Sequence, residues 1–209
     1  IDPAEVRRTL AVPDGQRFLL YLPFPAQTLK WAWWTHGVYT QPWPGLATER
    51  AVARRVRQWC DAHGLAMIVK DRRKAPAPPW LAELANRVIG DEPWEPTVLR
   101  LLLSGQAAGL VHHLSTACVH AAVAGVWAHC IAPQPPSRIP PYTRRLTMPD
   151  FAATEISTSY YNWPGVSRAR TPQEFAHSRA TWQYEVDPDS RQEYLKRFTG
   201  GETSELSHI

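Results

Sequence analysis

Glycine is sparse, at 11 in 209 residues. No Gly-x-y period runs through the chain, and 20 prolines break any long helix, so collagen-like, low-complexity and coiled-coil classes are excluded. Cysteine is sparser still, with three: Cys60, Cys118 and Cys130. An odd count with no metal spacing excludes a disulfide framework and reads as reduced, mostly buried thiols of a cytoplasmic chain. No apolar run approaches about 20 residues, so no transmembrane helix is expected. No repeat recurs at solenoid or propeller periods. Charge of either sign is in short excess: 23 Lys+Arg against 19 Asp+Glu gives +4, mild for a dedicated nucleic-acid binder. Signature motifs are also missing. Without Gly-x-Ser-x-Gly, Gly-x4-Gly-Lys-[Ser/Thr] or a strand-borne Gly-x-Gly-x-x-Gly, the serine hydrolase, P-loop NTPase and dinucleotide-dehydrogenase readings drop. There is no signal peptide and no initiator Met, so the opening Ile1-Asp2-Pro3 reads as cut from something longer.

What is present is a globular composition, 44% hydrophobic and 20% charged, with 10 tryptophans. The prolines mark loops at 23–44, 76–79 and 132–164. The first of these carries Trp31, Trp33, Trp34 and Trp43, which read either as a stacking platform for sugars or bases or as cover for an apolar surface or partner.

Between the loops, apolar runs of strand length alternate with helical periods. A short helix is expected over 3–12 and a strand over Arg17–Leu22. Thr48 is a candidate cap for a helix to about His63, with Val52, Val56, Trp59 and Cys60 on one stripe and Gly64 ending it. A strand over Leu65–Val69 runs into Lys70–Lys74. A helix over 80–87, a strand over Arg87–Gly90 and a helix over about 97–104 follow. Gly109 precedes a strand over Leu110–Leu114, Ser115-Thr116 opens a helix ending at Gly125, and a strand covers Val126–Ile131. One helix opens at Pro172 and another spans Arg191–Phe198. The alternation predicts an α/β fold: a doubly wound, mostly parallel, Rossmann-like sheet with helices on both faces and a C-terminal helical tail.

Ligands of such sheets sit outside the carboxyl ends of the strands. Three polar clusters fall there. Ser115-Thr116 at a helix start reads as a plain cap or as an anion site of amides and hydroxyls. Lys70-Asp71-Arg72-Arg73-Lys74 reads as a solvated turn or as a diphosphate clamp. Asp91-Glu92 reads as turn residues or as acceptors for a ribose or sugar. His112, His113 and His120 lack metal-ligand spacing and read as core or satisfied histidines. No metal or cofactor is expected.

Several runs resemble a known group. Phe18-Leu-Leu-Tyr-Leu-Pro23, Trp59-Cys-Asp-Ala-His-Gly-Leu65 with Ile68-Val-Lys70, Val98 to Gly105, and Val111-His-His-Leu-Ser-Thr116 with Ala121-Ala-Val-Ala-Gly125 are similar to the C-terminal half of GT-B glycosyltransferases. Asp189 to Phe198 and Gly200-Gly-Glu-Thr-Ser204 resemble that group's ending. The nearest likeness is to the CDP-glycerol glycerophosphotransferase-like group, and it spans about residues 10–205 through degenerate motifs. The resemblance implies donor-phosphate contacts at Ser115, Thr116, Lys70, Arg72, Thr203 and Ser204, with Asp91, Glu92 and His113 near the nucleotide or sugar. It implies a nucleotide-sugar or nucleotide-polyol donor as substrate and a missing N-terminal half that supplies acceptor site and catalytic base. It also implies contact with the inner membrane surface through the acceptor. Arg72-Arg73 stands where the group has His-Pro, and His112-His113 replaces the acidic residue before the hydroxyl pair, which leaves the donor base open.

The expected organisation is a linker helix over 1–15, a donor-binding domain over 16–132, and a Pro-rich loop with C-terminal helices over 133–209. Such a fragment is expected to bind nucleotide and not turn over alone. The competing readings are a nucleotide-sugar 2-epimerase-like enzyme, a non-catalytic glycan- or protein-binding module using the Trp-rich loop, and a nucleic-acid binder using the Arg50–Lys74 face.

Overall fold

The computed structural model describes residues 3–23, 46–71, 76–90, 95–112, 115–131, 166–169 and 188–199. In chain order these form α1 (Pro3–Leu10), β1 (Phe18–Leu22), α2 (Leu46–Ala62), β2 (Ala66–Lys70), α3 (Pro79–Leu84), β3 (Arg87–Ile89), α4 (Val98–Leu103), β4 (Ala107–His112), α5 (Ala117–Ala124), β5 (Ala128–Ile131), β6 (Val166–Ala169) and α6 (Pro188–Thr199).

Six strands make one sheet in the order β3-β2-β1-β4-β5-β6. Every adjacent pair is parallel. This is a Rossmann-like, doubly wound α/β fold: the chain winds outward in one direction from β1 to β3 and in the other from β4 to β6. The direction reverses between β1 and β4, and open α/β sheets as a class bind ligands outside the carboxyl ends of the strands at such a switch point.

The central strands explain themselves. β1, β2 and β4 are buried at every position, because parallel strands here are covered on both faces. Alternation then divides the core in two. Leu19, Tyr21, Met67, Val69 and Val111 face α2 and α3, meeting Val52, Val56, Trp59, Cys60 and Leu81. Phe18, Leu20, Leu22, Ile68 and Leu110 face the other way, against Val6 and Leu10 of α1, Leu101 and Leu102 of α4, and Ala117 and Ala121 of α5. Each fully buried Leu, Ile, Val or Phe contributes roughly 1.5–3 kcal/mol relative to exposure, so these layers dominate the fold's stability.

Several boundaries differ from the sequence expectation for physical reasons. β4 begins at Ala107, three residues early, and Gly109 lies inside it. A Cβ at Gly109 would stand 3.1 Å from Leu19 Cδ1 and 3.2 Å from Trp127 Cε3, so the glycine serves close packing and not a turn. The register slips beside it, between Phe18 and Leu19. α3 stops at Leu84, short of residue 87. Asn86 is claimed by the sheet: its Oδ1 accepts the Met67 N–H at 2.8 Å and its N–H donates to Met67 O at 2.9 Å. α2 starts at Leu46, which puts Thr48 within the helix and not at its cap. β5 starts at Ala128, because the Val126 N–H is used in closing α5, on Ala121 O at 2.8 Å. That closure runs through Gly125 in the left-handed region, φ 66°, as the glycine there predicts.

At the far edge, β6 pairs with β5 and extends the sheet beyond residue 132. α6 packs on α5, where Arg191 Nε and Nη2 donate to the carbonyls of Ala122 and Val123 and Leu195 is buried. The Trp31–Trp43 segment, the 132–164 excursion and the helix expected at Pro172 lie outside the described residues. Among those residues, no helix is long and apolar enough to cross a membrane.

Candidate functional site

The site is built where β1, β2 and β4 end. Leu22 of β1 is in register with His112 of β4, and Tyr21 with Val69 of β2, which sets Lys70 beside Leu22. By strand alternation Lys70 follows Ile68, and His112 follows Leu110, onto the α4/α5 face of the sheet. Two buried polar side chains, Lys70 at 4% and His112 at 0% exposure, therefore flank Leu22 on one face at one level. With strands about 4.8 Å apart, they stand about 10 Å apart across β1.

Each is held. Lys70 is the last residue of β2 and not part of the turn after it, and its ammonium donates to Gly90 O at the end of β3. The next residue is held too: the Asp71 N–H donates to Ile89 O at 2.8 Å, and Asp71 Oδ1 accepts the Ala77 N–H at 2.7 Å.

At the end of β4, His112 Nδ1 accepts the Ser115 N–H at 3.1 Å. Ser115 Oγ accepts the Ala117 N–H at 3.3 Å, so Ser115 and not Thr116 caps the start of α5 by side chain. The Thr116 carbonyl accepts from Val119 at 2.9 Å. Thr116 is exposed, and its amide and hydroxyl have no partner among the described residues. The N–H groups of Ala117, Cys118 and Val119 are thus satisfied internally, at Ser115 Oγ, Ser115 O and Thr116 O, and Thr116 keeps an open amide and hydroxyl beside the switch point. A helix start favours negative charge there.

No protein-family model and no curated protein matches the chain.

Of the residues singled out from sequence, Lys70, Ser115 and Thr116 lie at one edge of the sheet, on β2 and on the β4–α5 connection. Arg72, Asp91, Glu92, His113, Thr203 and Ser204 lie outside the described residues. Among the described residues, no group of three or more His, Cys, Asp or Glu comes together as a metal site. His112 reads from sequence as a core or satisfied histidine; what that reading leaves open is its partner, the Ser115 N–H. The signal was there: period two from Leu110 puts a polar side chain on the core face at a strand end, three residues before a helix-capping serine.

On the opposite face, Tyr21 donates its phenol to Glu49, in the first turn of α2. Both are buried. Burial first, then the Glu49 charge and the hydrogen bond to it, push the Tyr21 pKa well above 10.0. Beyond it, Arg57 binds Asp61 at 2.7 Å, Asn86 Oδ1 at 2.7 Å and Leu84 O at 3.2 Å, and Arg50 lies over the Trp80 ring at 5.4 Å. These two arginines of the basic helix are engaged in docking α2 on α3. A cleft of about 210 Å³ opens at the other edge of the sheet, lined by Arg17, Leu102, Gly105, Ala107 and Gly125. That is the strand N-terminal edge, away from the switch point.

Proposed function

We propose that this chain is the nucleotide-donor-binding domain of a GT-B-type transferase, moving a sugar or polyol-phosphate group from a nucleotide-diphosphate donor to an acceptor. The observation that carries the reading is that the open Thr116 amide and hydroxyl, after β4, and the buried Lys70, at the end of β2, stand on the carboxyl-end edge of one Rossmann-like sheet, on either side of β1. A diphosphate supplies negative charge opposite these donors. Thr116 hydrogen-bonds a phosphate oxygen, α5 adds its helix-start potential, and Lys70 with the basic turn sets the electrostatic field from the β2 side.

Catalysis in this reading is electrostatic. As the bond from the transferred group to the nucleotide phosphate breaks, charge builds on the leaving phosphate oxygens, and preorganised donors stabilise it. Removing one such donor typically costs about 3 kcal/mol of barrier. The catalytic base and the acceptor site belong to the second domain that a GT-B enzyme places across the crevice.

Calorimetric titration with CDP, UDP, GDP and ADP tests this. Wild-type protein is expected to bind at least one of them, and Thr116→Ala to weaken that binding about tenfold, the loss of a charge-assisted hydrogen bond. Lack of binding to all four at millimolar concentration rejects the reading.

A further inference from the structure

His112 is fully buried at the last position of β4, in register with Leu22 at the switch point. Its Nδ1 accepts the Ser115 N–H at 3.1 Å, three residues on. A ring nitrogen that accepts carries no proton, so the imidazole is neutral with its proton on Nε2. The bond ties the last residue of β4 to Ser115, and Ser115 then uses its own hydroxyl to take the Ala117 N–H at 3.3 Å. These two contacts in series, ring to Ser115 and Ser115 to α5, leave Thr116 as the residue whose amide and hydroxyl are open. The side chain that sets this geometry is itself closed to solvent.

We infer that His112 is the positioning residue of the donor site, acting through Nδ1: it orients the Ser115 amide and thereby the Thr116 donors that meet the donor's phosphate. This rests on the donor-binding reading above. Its specific content is that an acceptor is required at the Nδ1 position of residue 112, and that a proton there, or a side chain without an acceptor there, misaligns Thr116 without unfolding the sheet.

The substitutions separate this from simple core filling. Asparagine carries its carbonyl oxygen close to the place of Nδ1. Glutamine carries it one bond further out, and leucine has none. Titration of the best-bound nucleotide among CDP, UDP, GDP and ADP is expected to give wild-type-like affinity for His112→Asn, within about threefold, and about tenfold weaker binding for His112→Gln and His112→Leu, from one misaligned charge-assisted hydrogen bond. Cooperative melting shows which variants fold. If His112→Leu does not, the Asn and Gln pair decides. A long-range proton–nitrogen spectrum of the wild-type imidazoles is expected to show His112 protonated at Nε2 and bare at Nδ1. Wild-type affinity in a folded His112→Gln or His112→Leu variant, weak binding by His112→Asn, or a proton on Nδ1 overturns the inference and leaves the donor reading standing. Absence of nucleotide binding by wild-type protein overturns both.

Discussion

At Tyr21 a fully buried phenol and a buried carboxylate stabilise one another, and neither tolerates loss of the other. Tyr21→Phe removes the donor to Glu49 and leaves the carboxylate short of a hydrogen bond in a site closed to bulk water. The expected cost is about 1–3 kcal/mol, read as a lower urea midpoint at unchanged m-value. The same residue governs behaviour in alkali, together with Cys60, whose thiol burial pushes from 9.0 up to about 12. Folded Tyr21 and Cys60 retain protons that the unfolded chain releases. Stability from these groups is complete below about pH 9 and falls as pH rises toward 12, by up to about 1.4 kcal/mol per unit for each group. Melting temperature followed from pH 8 to 11 is expected to decline, and to decline less steeply in Cys60→Ala. Gly109 gives a third test. Its neighbours Leu19 and Trp127 stand at 3.1 and 3.2 Å from an added Cβ, so Gly109→Ala is expected to destabilise by about 1–3 kcal/mol through overpacking, in denaturant titration.

Among the elements, α6 is attached to the domain by Arg191, which donates to the last carbonyls of α5. A cation at a helix C-terminus also meets the negative end of the helix dipole. Arg191→Ala is expected to cost about 1–2 kcal/mol and to raise amide exchange in α6 before it does so in the sheet, measurable by native-state hydrogen exchange. The element pattern was largely legible from sequence, for a physical reason: buried parallel strands such as Phe18–Leu22 and Ala66–Lys70 are continuous apolar runs, and α2 carries a clean apolar stripe. What escaped was what periodicity cannot encode. Gly109 reads as punctuation but serves a close approach. Asn86 reads as helix but is bound by β2. Val166–Ala169, with Ser167 and Arg168 at its centre, lacks an apolar run and finds its strand only by pairing with β5. At the site, Lys70, Ser115 and Thr116 were legible as strand-end and helix-start residues. Lys70 ends an apolar run, and its charge hid its place inside the strand. His112 was legible as a core or satisfied histidine, but residue spacing does not show which group satisfies it, here the Ser115 N–H ahead of α5.

Across the whole molecule, the two faces of the sheet divide the work. The α2/α3 face carries the Tyr21–Glu49 contact and the arginines that dock the helices, and it contributes to stability. The α4/α5 face carries Lys70, His112 and the start of α5 at the point where strand order reverses, and it holds the donor phosphate in the proposed function. Separable effects follow: Tyr21→Phe lowers stability with little change in nucleotide affinity, whereas Thr116→Ala, on an exposed residue, lowers affinity with little change in melting. The most direct measurement is calorimetric titration of wild-type and Thr116→Ala protein with CDP, UDP, GDP and ADP. Saturable binding of at least one nucleotide by wild-type, weakened about tenfold in Thr116→Ala at equal melting temperature, is the predicted result. Cooperatively folded wild-type protein that binds none of the four at millimolar concentration, or a Thr116→Ala variant that binds as wild-type does, contradicts it.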